Sequence, residues 1–284
     1  MGESAITPSD TELPLIDRDR RNADAVVEQE DGTSLFVEPH ETFEPFQDFL
    51  HSIIHSPPES PDSNHHHDVK YAQMQNDNLR NEYQPLFPDV PKDIAFARIA
   101  LGKEADAINL WLGDDRSVTS LHKDNYENVY VQIRGRKHFV LLPPVEMPCV
   151  NERMLSKGRY APAHDDDESG ELTVVPDGQQ AEPVPVATWC PDAPAERTTA
   201  YSHLAKPLRV TLGQGDMLYL PAMWYHKVSQ TVGEEGFVCA VNYWYDMDFA
   251  GGFYSNNVFV RDVVNAEGMK PRYPPLYMDG QGQV

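Results

Sequence analysis

A histidine and an aspartate separated by one residue, His122 and Asp124, stand just before an apolar segment of the chain. Side chains two positions apart on an extended strand point the same way, so this imidazole and this carboxylate could bind one metal ion. The spacing alone is weak evidence, because the chain has three such pairs and chance predicts roughly one. The other two adjoin no apolar strand that could hold ligands rigidly, and we expect them to be polar surface. They are His66 with Asp68 and His164 with Asp166.

A second motif supplies a third candidate ligand. Residues 215–226 read GDMLYLPAMWYH, which is a Gly-Asp turn, an apolar strand ended by a proline, and His226 five residues beyond that proline. Two histidines and one carboxylate on one face would leave coordination positions open. This ligand set is typical of non-haem Fe(II) oxygenases, which use those positions for a co-substrate and dioxygen. The alternative is a core histidine beside Trp224 and Tyr225.

The segments around both motifs have the composition of strands. Residues 107–113 (AINLWLG) precede the first motif, and residues 127–135 and 137–144 follow it as two strands joined by a tight turn. After Pro148 we expect a long irregular region, and then further strands within residues 208–246. This order predicts a mainly β fold, an antiparallel barrel or a double-sheet jelly roll.

Helices are expected to flank the β region. Apolar residues recur at helical spacing from Phe43 to Ile54, which predicts a short amphipathic helix, and a second helix is expected near Tyr254 to Val264. Between the first helix and the β region, residues 69–75 (VKYAQMQ) alternate as a strand does. Residues 85–91 (PLFPDVP) predict a loop or turn.

The charge of the chain argues against nucleic-acid binding. The formal net charge is -22 and the pI about 4.7, whereas neutralising phosphates requires an excess of Lys and Arg. No apolar run approaches the roughly 20 residues that span a bilayer, and the first residues lack the apolar core of a signal peptide, so no membrane partner is expected. The three cysteines are widely spaced and form no CxxC pair, which suits a reducing compartment, the cytoplasm and/or the nucleus.

Much of the negative charge is concentrated in one segment. Residues 161–200 carry nine acidic side chains against one basic one, more than a third of the net charge. We expect this segment to be a surface insertion between strands, and we hypothesise that its field attracts a basic protein substrate. A solvated loop without a role is the alternative.

Three stretches of the chain resemble the JmjC-domain (cupin-type) Fe(II)/2-oxoglutarate oxygenases. They are WLGDDRSVTSLHKDNYENVYVQIRGRKHFVLLPP, GDMLYLPAMWYHKVSQ and VNYWYDM. Within that family they are most similar to the small JmjC lysyl hydroxylases that modify developmentally regulated GTP-binding proteins. The resemblance covers about residues 5–267 and is strongest over residues 106–137 and 215–248.

The resemblance implies a double-stranded β-helix with Fe(II) on His122, Asp124 and His226. It also implies a 2-oxoglutarate pocket, in which Lys137 pairs with the distal carboxylate and Thr119 donates its hydroxyl to the same group. Further pocket residues that the resemblance implies are Tyr71, Asn128 and Asn242.

Each pocket residue also has a structural alternative. Lys137 could be a surface lysine of a hairpin, and Thr119 and Asn128 could be polar residues at strand ends. Asn242 lies on an otherwise apolar strand, where a buried amide needs partners, so a functional role is favoured for it.

By resemblance, the activity would be hydroxylation of a protein side chain, a lysine above all, coupled to decarboxylation of 2-oxoglutarate to succinate. A histone lysine demethylase shares the metal ligands and the co-substrate, but this chain has no Cys/His zinc cluster or basic surface for chromatin. A metal-binding cupin without turnover is the third hypothesis. It has no need of a dicarboxylate anchor such as Lys137 or Thr119.

These expectations divide the chain into an acidic N-terminal segment (1–45), a catalytic domain (46–250) that contains the acidic insertion, and a C-terminal helix and tail (251–284). The JmjC lysyl hydroxylases carry further residues before the segment with which this chain starts, so we expect the first segment to be a truncated remnant of a longer region. The expected partner is a protein substrate, with GTP-binding proteins of the developmentally regulated type as candidates. A second copy of the chain is a candidate partner for a homodimer.

Overall fold

The computed structural model of the chain describes residues 3–9, 25–55, 69–162, 172–178 and 181–268. The two HxD pairs that we expected to be polar surface lie outside these residues. Among the described residues, no helix has the length and apolar character needed to cross a bilayer. In chain order the strands are β1 (Glu3–Ser9), β2 (Ala25–Glu28), β3 (Ser34–Glu38), β4 (Thr42–Pro45), β5 (Val69–Ala72), β6 (Ala107–Gly113), β7 (Thr119–Lys123), β8 (Tyr126–Arg134), β9 (Arg136–Leu142), β10 (Glu152–Pro162), β11 (Leu172–Pro176), β12 (Val184–Ala187), β13 (Leu208–Leu212), β14 (Met217–Leu220), β15 (Tyr225–Thr231) and β16 (Val238–Asp246).

Two sheets form the barrel. The major sheet has the strand order β14-β8-β16-β6-β5-β1-β4, and the minor sheet has the order β13-β9-β15-β7. Their inner faces share one apolar core, in which Trp111 and Tyr130 of the major sheet pack with Phe139 and Val228 of the minor sheet. The fold is therefore the predicted jelly roll, a double-stranded β-helix.

The turn at Gly135 passes the chain from one sheet to the other. The two strand-like segments and the tight turn between them predict a hairpin of β8 and β9. However, β8 pairs with β14 and β16, whereas β9 pairs with β13 and β15. Gly135 has a φ of +67°, which favours glycine, and a side chain there would lie 2.9 Å from the carbonyl oxygen of Thr231. The predicted turn is present, but the predicted pairing is wrong because jelly-roll connections alternate between sheets.

Helices cover the outer face of the major sheet. They are α1 (Phe46–Ile54) and α2 (Ala95–Leu101), and Gln84–Asp89 forms a 3₁₀ helix in the segment predicted to be loop or turn. Phe49 and Ile53 of α1 pack in the same apolar cluster as Ile108 and Val241 of the sheet. The central strands are thus buried on both faces.

Helix α1 begins three residues later than the apolar spacing predicted. Phe43 lies in strand β4 and is 65% exposed, so it is not part of the helix. Pro45 directly precedes the helix, and proline disfavours helical geometry in the residue before it. The other predicted helix is confirmed as α3 (Gly252–Gly268), which extends beyond the predicted residues 254–264.

The region after Pro148, predicted to be irregular, contains a third sheet. Its strand order is β11-β10-β3-β2, and β12 also pairs with β10. Between the strands, the described residues of this region include a 3₁₀ helix at Ser202–Leu204. Strand β3 runs parallel to β10, and β1 pairs with both β4 and β5, so strands from the predicted N-terminal segment pair with later ones. The three-part division of the chain stays a prediction.

Candidate functional site

The three candidate metal ligands meet at one end of the minor sheet. Strands β7 and β15 are antiparallel neighbours, and their register sets His226 directly opposite His122. Asp124 follows the last residue of β7, and its carbonyl oxygen accepts a hydrogen bond of 2.8 Å from the N–H of Met223. This bond ties the turn before His226 to the end of β7. The motifs that lie a hundred residues apart in the sequence are thereby joined into one site.

Backbone hydrogen bonds orient both imidazole rings. His122 Nδ1 lies 2.7 Å from the carbonyl oxygen of Ser120, and His226 Nδ1 lies 3.1 Å from that of Trp224. A carbonyl can only accept, so each Nδ1 carries a proton, and in a neutral ring the lone pair is then on Nε2. The Nε2 atoms lie 3.8 Å (His122) and 3.6 Å (His226) from Asp124 Oδ2. One ligand atom from each of the three residues lies within 4.8 Å of the others.

The electrostatics of the site favour a neutral His226. Burial, and next the neighbouring His122, lower the pKa of His226 to about 4, although Asp124 acts in the opposite direction. Metal ions bind the neutral form of imidazole, so this ring is in its ligand form at neutral pH.

Lys137 is buried in the barrel interior and surrounded by aromatic rings. It is only 2% exposed, which excludes the alternative of a hairpin surface lysine. Its Nζ donates a hydrogen bond of 2.7 Å to the hydroxyl of Tyr71 and lies 5.1, 5.9 and 5.6 Å from the ring centroids of Tyr71, Trp111 and Tyr130. Desolvation lowers the pKa of Lys137 to about 7. Cation–π contacts with three rings offset part of the cost of burying this ammonium.

Lys137 and the triad lie along the same face of the minor sheet. In the pairing of β9 with β15, His226 is opposite Leu141 and Gln230 is opposite Lys137. Leu141 is four positions after Lys137, an even number, so both side chains point to the same face. The Cα atoms of these positions are about 13 Å apart along the strand. A ligand inside the barrel could therefore reach from Lys137 to the triad.

A β-bulge gives Thr119 its orientation. Thr119 precedes His122 by three residues, and in a regular strand such residues point to opposite faces. Here the register shifts between His226 and Val228, so that two residues of β7 oppose one of β15 and Thr119 pairs with Val228. Val228 packs in the barrel core. The half-buried Thr119 thus shares the inward side with His122.

The two asparagines form one buried chain of hydrogen bonds on the inner face of the major sheet. Asn242 Nδ2 donates to Asn128 Oδ1 at 3.3 Å, and Asn242 Oδ1 accepts from Trp111 Nε1 at 3.0 Å. Both amides are at least 97% buried. These hydrogen bonds link the aromatic residues around Lys137 to the part of β8 that follows the triad. Contact of these amides with a ligand stays a prediction.

The outer side of the triad strands carries contacts that were not predicted from the sequence. Lys123 and Tyr225, which neighbour the ligands in sequence, both bond to Glu152 Oε2 on β10, at 2.6 and 2.5 Å. The Arg261 guanidinium of α3 lies 3.7 Å from Glu152 Oε1. Glu152 comes long after His122 and Asp124 in the chain, so no local spacing reveals it.

Two aromatic residues around Lys137 were also missed. Trp111 and Tyr130 lie on strands predicted from their composition, and each alternates with neighbours that point outward. Tyr130 is two residues from Asn128, so the period of a strand could have assigned it to the same face.

The jelly-roll fold and the triad agree with the domain family that the sequence matches. A sequence profile of the cupin-like domain family matches residues 6–251, which is most of the chain. The chain belongs to this cupin-like family, and its relatives show that it is a JmjC-type member.

Three relatives illustrate the similarity. The human bifunctional peptidase and (3S)-lysyl hydroxylase JMJD7 is 43% identical over 185 residues, which cover 65% of this chain and 55% of the human protein. The lysine-specific demethylase JMJ32 of Arabidopsis thaliana is 41% identical over 191 residues, 64% of this chain and 53% of that protein. The JmjC domain-containing protein E of Dictyostelium discoideum is 33% identical over 244 residues, 80% of this chain and 67% of that protein. The chain thus spans just over half the length of the first two relatives.

Proposed function

We propose that the chain is a dioxygenase that uses Fe(II) and 2-oxoglutarate to hydroxylate a lysine side chain of a protein. The observation that carries this proposal is the convergence of two features in one barrel. The Nε2 atoms of two histidines face the Asp124 carboxylate, and Lys137 is buried further along the same strands. A metal-binding cupin without turnover would use the first feature, but it gains nothing from a buried cation.

The donor set fits a divalent iron ion. His122, Asp124 and His226 supply two neutral nitrogens and one carboxylate oxygen, the ligands typical of non-haem iron oxygenases. When bound there, iron would supply the activation of dioxygen that couples decarboxylation of 2-oxoglutarate to hydroxylation of a C–H bond. The residues of the chain orient this centre: the Ser120 and Trp224 carbonyls fix the imidazoles, and the Met223 N–H fixes the Asp124 backbone.

The surroundings of Lys137 suit the distal carboxylate of 2-oxoglutarate. Among the described residues, Lys137 has its hydrogen bond to Tyr71 but no ion pair. Burial keeps the Tyr71 and Tyr130 hydroxyls neutral by raising their pKa values. The described part of the pocket therefore has no negative charge to pair with the Lys137 ammonium, and a bound dicarboxylate would provide one. Thr119 on the inward side is a further donor for the same ligand.

The substrate class is inferred from the relatives and from charge. The human relative is by name a lysyl hydroxylase, and the net charge of -22 suits a basic protein substrate. Proteins of the developmentally regulated GTP-binding type are the candidates we propose, and a homodimer is the assembly that we propose to test alongside them. The Arabidopsis relative is by name a lysine-specific demethylase, which makes demethylation the second candidate.

Product analysis distinguishes these functions. Protein loaded anaerobically with Fe(II) is given 2-oxoglutarate, air and either a lysyl peptide from such a GTP-binding protein or a methylated histone peptide. A gain of one oxygen atom in the lysyl peptide supports the hydroxylase, and formaldehyde from the methylated peptide supports the demethylase. Tight iron binding without succinate or product would contradict both. His226→Ala should abolish turnover, whereas His203→Ala, which removes an exposed histidine of a 3₁₀ helix, should not.

A further inference from the structure

A stacked aromatic pair adjoins the triad on the inner face of the major sheet. The rings of Tyr126 and Trp244 have centroids 4.7 Å apart and planes that differ by 2°. Tyr126 is the first residue of β8 and follows the ligand Asp124 by two residues. Both rings pack in the same interior cluster as Leu220 and Trp224. The pair therefore lines the part of the barrel nearest the triad, at the end away from Lys137.

An acidic side chain without a partner lies beside this pair. Asp246 is directly opposite Tyr126 in the pairing of β8 with β16, so both side chains point to the same face, with Cβ atoms about 5 Å apart. Asp246 is exposed, and its carboxylate has no hydrogen bond or ion pair with the residues that the structure describes. The nearby Asp106, by contrast, pairs with Lys103 at 3.0 Å. The Lys103 ammonium also donates to the main-chain carbonyl of Asp246 at 2.8 Å. Asp246 thus offers a carboxylate without a direct ion pair among the described residues, next to an aromatic ring.

Trp244 brings an unused hydrogen-bond donor to the same place. Trp244 is only 6% exposed, yet within the described part of the chain its Nε1–H has no acceptor. A buried donor without an acceptor is destabilising. By comparison, the indole N–H of Trp111 donates to Asn242. A ligand with a carbonyl oxygen would satisfy the Trp244 N–H.

We propose that Tyr126, Trp244 and Asp246 form the subsite that receives the substrate's lysine. The inference rests on the proposed function and assigns its substrate contacts. Asp246 binds the ammonium group, the Tyr126 ring packs against the side chain and its cationic end, and Trp244 Nε1–H donates to a carbonyl oxygen of the peptide. An aromatic face with a carboxylate beside it favours a cation over a neutral side chain of equal length.

Two small probes test this subsite without turnover. Protein loaded with Mn(II) and 2-oxoglutarate is titrated with Nα-acetyl-lysine N-methylamide, or with its norleucine counterpart, which has the same backbone but no ammonium. Paramagnetic broadening of the probe protons by Mn(II) reports binding next to the triad. We expect the lysine probe to bind about fivefold more tightly than the norleucine probe, the range for a partly exposed ion pair.

Three variants separate the contacts. Asp246→Asn should remove the preference for lysine, whereas Glu234→Gln, the same charge change at an exposed turn after β15, should keep it. Trp244→Phe removes the N–H but keeps a ring, and it should weaken both probes equally. Equal binding of the two probes to the unaltered protein, or an unchanged preference in Asp246→Asn, would overturn the subsite. Succinate formation is measured separately: without succinate but with an Asp246-dependent preference, the proposed activity fails and the subsite stands.

Discussion

The ammonium of Lys123 lies 2.6 Å from the carboxylate of Glu152, on the side of β7 that faces away from the triad. Lys123 stands between two candidate metal ligands in the sequence, and the same carboxylate oxygen accepts a hydrogen bond from Tyr225, the residue before the third. Glu152 is only 4% exposed. One buried carboxylate thus joins the outer sides of both strands that carry the triad.

We expect Glu152→Gln to weaken metal binding. A glutamine loses the ion pair with Lys123, so β7 and β15 are held less firmly, and loss of such outer contacts commonly costs about tenfold in metal affinity. Calorimetric titration with Mn(II) measures the affinity. The control is Asp177→Asn, which breaks the exposed pair with Arg159 and should leave the affinity unchanged. Equal affinities for all three proteins would contradict a role for Glu152 in positioning the ligands.

The affinity for 2-oxoglutarate should fall as the pH rises above about 7. The free protein has a Lys137 pKa of about 7, and only the charged ammonium pairs with the distal carboxylate. The dissociation constant should therefore rise by up to about tenfold per pH unit above that value. Titration calorimetry of the metal-loaded protein between about pH 6 and pH 9 measures this dissociation constant, because the range includes the pKa. Lys137→Met should bind weakly at every pH, and a flat profile in the unaltered protein would contradict the assignment.

The same lysine should make the ligand-free protein more stable at high pH. The pKa of Lys137 is about 7 in the folded state, against an ordinary value of 10.5, so between these values the unfolded chain binds more protons. The free energy of unfolding contributed by this group therefore increases with pH across that window. Urea unfolding across the window, compared with Lys137→Met, isolates the contribution. A difference between the two proteins that does not change with pH would contradict a buried, titrating lysine.

Gly113→Ala should disturb the 2-oxoglutarate pocket. A Cβ at Gly113 would lie 2.6 Å from Tyr71 Cδ2 and 2.9 Å from Ser117 Oγ, so the Tyr71 ring must move and its hydrogen bond to Lys137 is strained. Such overpacking commonly costs about 1–3 kcal/mol. We expect a lower thermal midpoint and weaker 2-oxoglutarate binding. Gly178→Ala, whose Cβ would meet nothing within 4 Å, is the matched control, and equal behaviour of the two variants would refute the close contact.

Local spacing predicted the triad because each half of it is encoded within a short segment. His122 and Asp124 are two residues apart, and His226 follows a turn and strand with a recognisable pattern. The resemblance to the JmjC family supplied Thr119, whose inward orientation depends on a bulge that no spacing reveals. Strand pairing was less predictable, since a turn such as that at Gly135 can either form a hairpin or pass to another sheet. Glu152 could not be found because its contacts depend on long-range packing.

We propose that the triad and Lys137 serve one reaction, the decarboxylation of 2-oxoglutarate at iron. The succinate that the Fe(II)-loaded protein forms from 2-oxoglutarate measures this reaction. We expect succinate that depends on added iron, that disappears in His226→Ala and that persists in His203→Ala. Undiminished succinate in His226→Ala, or no succinate from the unaltered protein with iron bound at one equivalent, would contradict it.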